Sequence, residues 1–456
     1  MDINDKILIN RIEALVEEDK SYWDFSEYKK EHIHGLLTYP ATMVPKMQSE
    51  ILRLILEINP TMKNLLDPFM GSGTIIVEGM LKGLNIHGID INPLSYLLCL
   101  VKTKIISLDE LNEYKYNLFE NLSSNNLDFE IINFDGIEKW YKHDIVYDLS
   151  KIKHCIELID NVDIKRFFLL GFCEISRLSN NSRSSTFKLH VKTEESINKF
   201  NYDCIAGFKD KTNSNIDMVR DFINLAANKF DDSTPYLNYK YENNLYCESS
   251  TDKLQDRLSF PSNSMDLIIT SPPYGDNHTT VTYGQYSVLP LRWIDFEDID
   301  INIDTGLIEK LTTIDKLSLG GINYNDLDID ESNILSNSET LSRLYAQLVN
   351  DNEVLKAKKV ASFIIDFNDV LKQMARILKV GGYIILTVGN RRVNNRIVEF
   401  NKIIVELCKL YNIDLIYEFS RNIINKRMPS KISKLKDDSS VESMNKEQIL
   451  ILKRVR

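Results

Sequence analysis

Hydrophobic positions along the chain follow two different periods. Residues 46–58, KMQSEILRLILEI, set apolar side chains at helical spacing and predict an amphipathic helix. The stretch NLLDPFMGSGT (64–74) reads as a short strand, a glycine-bearing turn and the start of a helix. IIVEGMLKG carries that helix to a stop at Gly83. NIHGIDINP (85–93) is a second short strand that ends on an acid. Strand, helix and strand within roughly 30 residues make a βαβ unit, and such a unit requires parallel strands.

The middle of the chain loses this alternation. Residues 105–235 carry mixed helical patterns and polar patches such as RLSNNSRSSTFK (177–188), without an internal repeat. Strands return at NNLYCES (243–249) and MDLIITS (265–271), and a polar, acidic tract follows over 295–352. The alternation then resumes. FNDVLKQMARILK predicts a helix, GGYIILTVGN a turn and strand, RIVEFNKIIVELCKLY a helix and IDLIYEFSR a strand. The expected architecture is α/β: a doubly wound, mostly parallel sheet with a large helical insertion and a second, polar insertion.

Composition adds limits. A chain of 456 residues with 43% hydrophobic and 27% charged residues can hold one large globular domain with insertions, or two to three ordinary domains. The six cysteines (99, 155, 173, 204, 247, 408) form no CxxC pair, so neither a zinc knuckle nor a disulfide framework is indicated. No histidine–carboxylate spacing of a metal site stands out either, and no metal is expected. The charged N-terminus is unlike a secretory signal, and no apolar run approaches the ~20 residues of a membrane span. A cytoplasmic location, away from membranes, is expected. The net charge of −11 taken alone speaks against nucleic acid. Its distribution does not: Arg421 to Arg456 hold ten Lys/Arg against four Asp/Glu, whereas WIDFEDIDINIDTGLIEK is acidic. NRRVNNR (390–396) and RNIINKRMPSKISKLK (421–436) are candidate phosphate contacts.

Two motifs carry the chemistry. In DPFMGSGT, Asp67 ends a strand, and Gly71 and Gly73 let backbone approach a ligand without a Cβ in the way. Asp90 ends the next strand, where an acid can accept both hydroxyls of a ribose. A GxxxxGK[ST] loop is absent, and Ile76 stands where the third glycine of a dinucleotide fingerprint would be. In TSPPY, two prolines end the strand and leave carbonyls without competing amide hydrogens. Ser271 Oγ and the Pro272 carbonyl are acceptors for an exocyclic amine, and Tyr274 offers a flat face for its ring.

DPFMGSGT together with TSPPYG resembles the amino-methyltransferases that use S-adenosylmethionine to modify exocyclic amines of DNA bases. The serine of S-P-P-Y resembles the cytosine-N4 branch, since the adenine-N6 branch usually has Asp or Asn there. LLTYPATMVPKM (36–47) is similar to the family's segment that closes over the methionine end of the cofactor. The resemblance covers 36–100 and 243–290 well and 362–430 loosely; its cofactor loop precedes the catalytic motif by about 200 residues, whereas the reverse order is common in relatives with this spelling.

The resemblance implies a Rossmann-like methyltransferase sheet. It also implies that Asp67, Phe69, Gly71, Gly73 and Thr74 hold the amino-acid part of S-adenosylmethionine, Asp90 its ribose and Ile91 its adenine. Tyr39 and Pro40 would close the methionine side, and Ser271, Pro272, Pro273 and Tyr274 would hold the target base. Glu248, Ser249 and Asp252 are open choices for a further adenine contact. In these terms 1–104 is the cofactor half, 105–240 the helical insertion and 241–294 the catalytic half. Residues 295–352 are a candidate target-recognition region, and 353–456 the C-terminal part with a basic tail. The implied activity is site-specific N4 methylation of a flipped cytosine in double-stranded DNA, with a cognate restriction endonuclease as partner. Adenine-N6 is the nearest alternative, guanine-N2 of structured RNA a more distant one, and a non-catalytic DNA-binding or cofactor-sensing subunit a third. Cytosine-C5 chemistry would need a cysteine after a proline, and no cysteine here follows one. Tyr283 and Tyr286, in GDNHTTVTYGQYS, are candidates for DNA contact or for core.

Overall fold

The computed structural model describes all residues except 184–185, 234–235, 276–280, 322–331, 424–430, 435–439 and 443–445. Its centre is a seven-stranded sheet. In chain order the strands are β1 (Asn64–Asp67), β2 (Asn85–Ile89), β3 (Asn243–Tyr246), β4 (Met265–Thr270), β5 (Leu378–Val388), β6 (Ile413–Asn422) and β7 (Lys446–Arg454). They lie in the order β6-β7-β5-β4-β1-β2-β3. The β3, β2, β1, β4 and β5 neighbours pair in parallel, and β7 runs antiparallel between β5 and β6. This is the doubly wound order 3-2-1-4-5-6 with one reversed strand inserted.

Side chains alternate across the sheet, so its two faces feed two cores. Leu65, Ile86, Leu267, Ile269, Ile385 and Ile451 point into one, and Leu66, Ile89, Ile268, Ile384, Leu386 and Leu450 into the other. On the first face lie α1 (Ile3–Glu18), α2 (Pro45–Ile58), α3 (Thr74–Lys82) and α4 (Pro93–Thr103). On the second lie Val354–Ile377 and Phe400–Cys408. Every residue of β4 is buried, which explains why its sequence runs apolar without alternating.

Residues 105–235 are largely helical. Leu108–Ser123, His143–Glu157, Val162–Ser179 and Cys204–Ala226 bury Leu118, Leu149, Phe168 and Phe208 in the same core that underlies the first sheet face. Short strands at Ile105–Ile106, Phe230–Ser233 and Tyr236–Tyr239 form a separate small sheet at the insertion's base.

Three expectations change. The segment beginning at Arg396 is not helical from its start: Arg396–Ile397 pairs with Arg392–Val393 as a hairpin, and the helix begins at Phe400. The helix expected from FNDVLKQMARILK begins earlier, at Val354. Residues 446–454 are a buried strand rather than part of a basic tail. Cations of this C-terminal part serve the fold: Lys453 Nζ lies 2.6 Å from carboxylate oxygens of both Asp2 and Asp5, and Arg421 Nη1, on β6, lies 2.8 Å from Glu447 Oε2. Arg396, in the other basic stretch, pairs with Asp351. The remaining part of the 421–436 stretch lies mostly outside the described residues. Among the described residues no helix is long and apolar enough to cross a membrane.

Candidate active site

The strand order reverses direction between β1 and β4, and in sheets of this type ligands bind in the crevice at that point. The carboxyl ends of β1 and β4 meet there directly. Asp67 Oδ1 accepts hydrogen bonds from Thr270 Oγ1 at 2.6 Å and from the Phe69 amide at 3.1 Å. Its second oxygen, Oδ2, is buried and has no partner among the described residues. Burial pushes the Asp67 carboxyl up to about 7, against the opposing pull of its two donors. A buried carboxylate oxygen without a partner is costly, so this atom fits a ligand cation or donor.

The glycines shape the same cradle. Gly71 has φ +46° and donates its amide to Asp90 Oδ2 at 2.8 Å, and the place a Cβ would take is clear to 3.6 Å. Gly73 has φ +71°, and a Cβ there would sit 2.8 Å from Cys99 Sγ. Asp90 also accepts from the Asn92 amide at 2.8 Å, and burial raises its carboxyl above the ordinary range. Asp90 thus holds the glycine turn while each of its oxygens retains a lone pair. Thr74 lies at the start of α3, with Oγ1 3.0 Å from Ser72 Oγ. Phe69 packs against the second core and Ile91 against the first, on opposite sides of the cleft.

Tyr39 closes the first side. It is buried, and its hydroxyl accepts from Asn92 Nδ2 at 3.1 Å; burial raises its hydroxyl well above the ordinary value. Pro40, the next residue, is buried with it. The Tyr283 ring stacks on Tyr39 at 6.0 Å, and the Tyr286 hydroxyl donates to the Thr38 carbonyl. Both tyrosines, on the helix Tyr283–Leu291, therefore belong to the wall of the site; residues 276–280 before them lie outside the described residues.

The second motif follows β4. Ser271 Oγ lies 3.2 Å from the Tyr274 hydroxyl, which donates to Glu447 Oε1 at 3.0 Å. Pro272 is buried, while Ser271, Pro273 and Tyr274 are half-buried. Next to β1, Ser250 donates to the Pro68 carbonyl, and Glu248 pairs with Lys253 at 3.2 Å. Glu248 to Asp252 thus sit beyond the end of β3, one strand from Asp90.

Sequence reasoning missed several members of this site. Asn92 bridges Tyr39, Asp90 and Ser287 Oγ, the last at 2.7 Å. Lys102 is buried, donates to the Ser72 carbonyl at 2.7 Å and is lowered to about 7 by burial. Asn92 was visible as the helix-capping Asn of N-P; Lys102 and Glu447 carried no local signal. Two groups of possible metal ligands also converge that linear spacing hides. His34 Nε2 lies 2.9 Å from Glu78 Oε1 beside His32, tying the segment before Tyr39 to α3. Glu157, Asp295 and Asp298 converge as well, but Lys153 and Lys165 pair with them. All six cysteines are free, and five are buried.

A doubly wound sheet with one reversed strand, with a glycine cradle and two acids at its switch point, defines a Rossmann-like methyltransferase fold. No protein-family profile matches the chain. It is 32% identical to the Type II methyltransferase M.MvaI of Kocuria varians over an alignment of 463 residues, covering 98% of this chain and 97% of that protein. It is 35% identical over 95 residues to the Type II methyltransferase M.MjaII of Methanocaldococcus jannaschii, covering 19% of this chain and 17% of that one. The chain belongs to the Type II DNA methyltransferase family.

Proposed function

We propose that the protein transfers a methyl group from S-adenosylmethionine to the exocyclic N4 amine of a flipped cytosine, at a specific site in double-stranded DNA, as the modification partner of a restriction endonuclease. One observation carries this reading. Thr270 and Ser271 are consecutive at the end of β4, and Thr270 bonds Asp67 across the crevice. The amine acceptor is therefore one residue from the cofactor cradle.

The residues fit the cofactor. The unpartnered Asp67 Oδ2 suits the amine of its methionine part, Gly71 and Gly73 leave room for backbone approach, and Asp90 suits the ribose hydroxyls. Phe69 and Thr74 would line the amino-acid end, Ile91 the adenine, and Tyr39 with Pro40 the methionine side. When bound, S-adenosylmethionine supplies an electrophilic methyl on a sulfonium.

The exocyclic nitrogen is conjugated with its ring and is a poor nucleophile. Acceptance of its hydrogens by Ser271 Oγ and the Pro272 carbonyl favours a tetrahedral nitrogen with an available lone pair, while Tyr274 holds the ring and Pro273 stiffens the loop. Positioning and charge placement are then the main contributions. The base must leave the duplex to reach this pocket, at a cost of a few kcal/mol.

The test is incubation with labelled S-adenosylmethionine and either duplex DNA or tRNA, followed by digestion to nucleosides. N4-methylcytosine from DNA is the expected product. N6-methyladenine would move the target to adenine, and label in tRNA alone would overturn the reading.

A further inference from the structure

The hydrogen-bond chain behind the catalytic motif has a fixed direction. Glu447 is a carboxylate paired with Arg421, whose Nη1 lies 2.8 Å from Oε2, and Arg421 Nη2 continues to the Asp24 carbonyl at 3.3 Å. A carboxylate can only accept, so the Tyr274 hydroxyl gives its one hydrogen to Glu447 Oε1 at 3.0 Å. Toward Ser271, 3.2 Å away, the phenol oxygen can then only accept. Where the two hydroxyls bond, Ser271 is therefore the donor, and its Oγ lone pairs are left to act as acceptors. Burial and the Glu447 charge together hold the Tyr274 hydroxyl well above its ordinary value, which keeps the phenol protonated.

Resting on the reading above, we propose that Glu447 is a positioning residue: it sets the polarity of the Glu447–Tyr274–Ser271 chain, so that Ser271 accepts from an amine-bearing base and rejects the base with a carbonyl at the same place. Serine is ambivalent by itself, being both donor and acceptor. Without Glu447, Ser271 could rotate its hydrogen toward a ligand oxygen, and a keto base would bind as well as an amino base. Glu447 comes from β7, 173 positions along the chain from Tyr274. The amine preference of the motif is thus imposed from the far end of the sequence.

The probe is duplex DNA carrying the methylated site found by product analysis, in two forms, the natural target base and its deaminated keto counterpart, each opposite an abasic position so that unpairing costs both the same. Wild type should bind the amino form about 10-fold or more tightly than the keto form, in the presence of S-adenosylhomocysteine. Equal binding overturns the proposal, whatever the variants do. Glu447→Gln keeps the shape but can donate, so the discrimination should fall to near unity and kcat should drop about 10-fold or more, with KM for S-adenosylmethionine unchanged. Tyr274→Phe keeps the ring and cuts the chain at a second point, and it should lose the discrimination in the same way. Glu447→Asp should restore part of it. Variants with wild-type discrimination would sink the polarity role. A wild type that modifies no DNA would instead fail the underlying reading, so the two failures are distinguishable.

Discussion

The two halves of the crevice are built differently. The proposed cofactor half is local: Asp67, Gly71, Gly73 and Asp90 lie within 24 positions, and the turn is closed by bonds from Gly71 and Asn92 to Asp90. The proposed target half is assembled from afar. Ser271 and Tyr274 depend on Glu447 and Arg421, and the adjoining Asn422 amide is fixed by Asp24. A local turn is strained and specified by its own residues, while a loop ended by two prolines needs neighbours to orient it. The cofactor half should therefore be sensitive to backbone changes, and the target half to distant side chains.

The largest expected effect tests the target half alone. A Ser271→Ala, Tyr274→Ala double variant should lose roughly 1,000-fold or more of its methylation rate, with cofactor affinity little changed. A rate equal to wild type would remove both residues from catalysis. Gly73→Val strikes the other half, because φ +71° and a Cβ 2.8 Å from Cys99 Sγ combine strain with overlap. We expect a loss of about 2–4 kcal/mol of stability, read as a lower Tm in thermal melts. An unchanged Tm would mean the turn is looser than it looks.

Asp90→Ala should weaken cofactor binding about 10-fold by freeing the Gly71 amide and removing the ribose acceptor, and DNA affinity should hold. Isothermal titration of each ligand separates the two, and the reverse ranking would take the ribose role from Asp90. The smallest effect is a pH dependence. The Asp67 carboxyl is raised from 3.8 to about 7 in the free protein. A raised carboxyl stabilises the fold fully below its unfolded value, and that contribution is lost as pH rises through about 7. Binding of a cationic amine requires the ionised form, so cofactor affinity should improve with pH up to about 7 and then level off. Titrations in a pH series check this, and Asp67→Asn should flatten the slope.

The same contrast governs what the sequence discloses. β1, α3 and β2 are legible because one strand, one turn and one helix complete their own hydrogen bonding within a βαβ unit. The positions of Asp67 at the end of β1 and Asp90 just after β2 are legible for the same reason, since they follow from where each strand stops. β7 escapes because its run, QILILK, sits behind a basic, polar stretch that hides it, and only pairing with both β5 and β6 makes it a strand. Cations from Arg421 onward gave the end of the chain its basic balance, yet Arg421 on β6 and Lys453 on β7 find carboxylates inside the protein. The net charge misleads for a related reason, since a DNA-modifying family member carries −11 overall. Helix onset at Phe400 rather than before it reflects the Arg392–Ile397 hairpin, which takes up the residues ahead of it.

The interposed strand β7 has a consequence for synthesis. The nascent chain can make β1 to β6 before residue 446 leaves the ribosome, but β5 and β6 then lack the strand that joins them, and the sheet that carries the glycine turn stays open along β5. A translation product stopped before Lys446 should bind cofactor poorly or not at all and should leave DNA unmarked. Activity would be withheld until β7 has been made, a dependence that ribosome-arrested chains of graded length can measure directly.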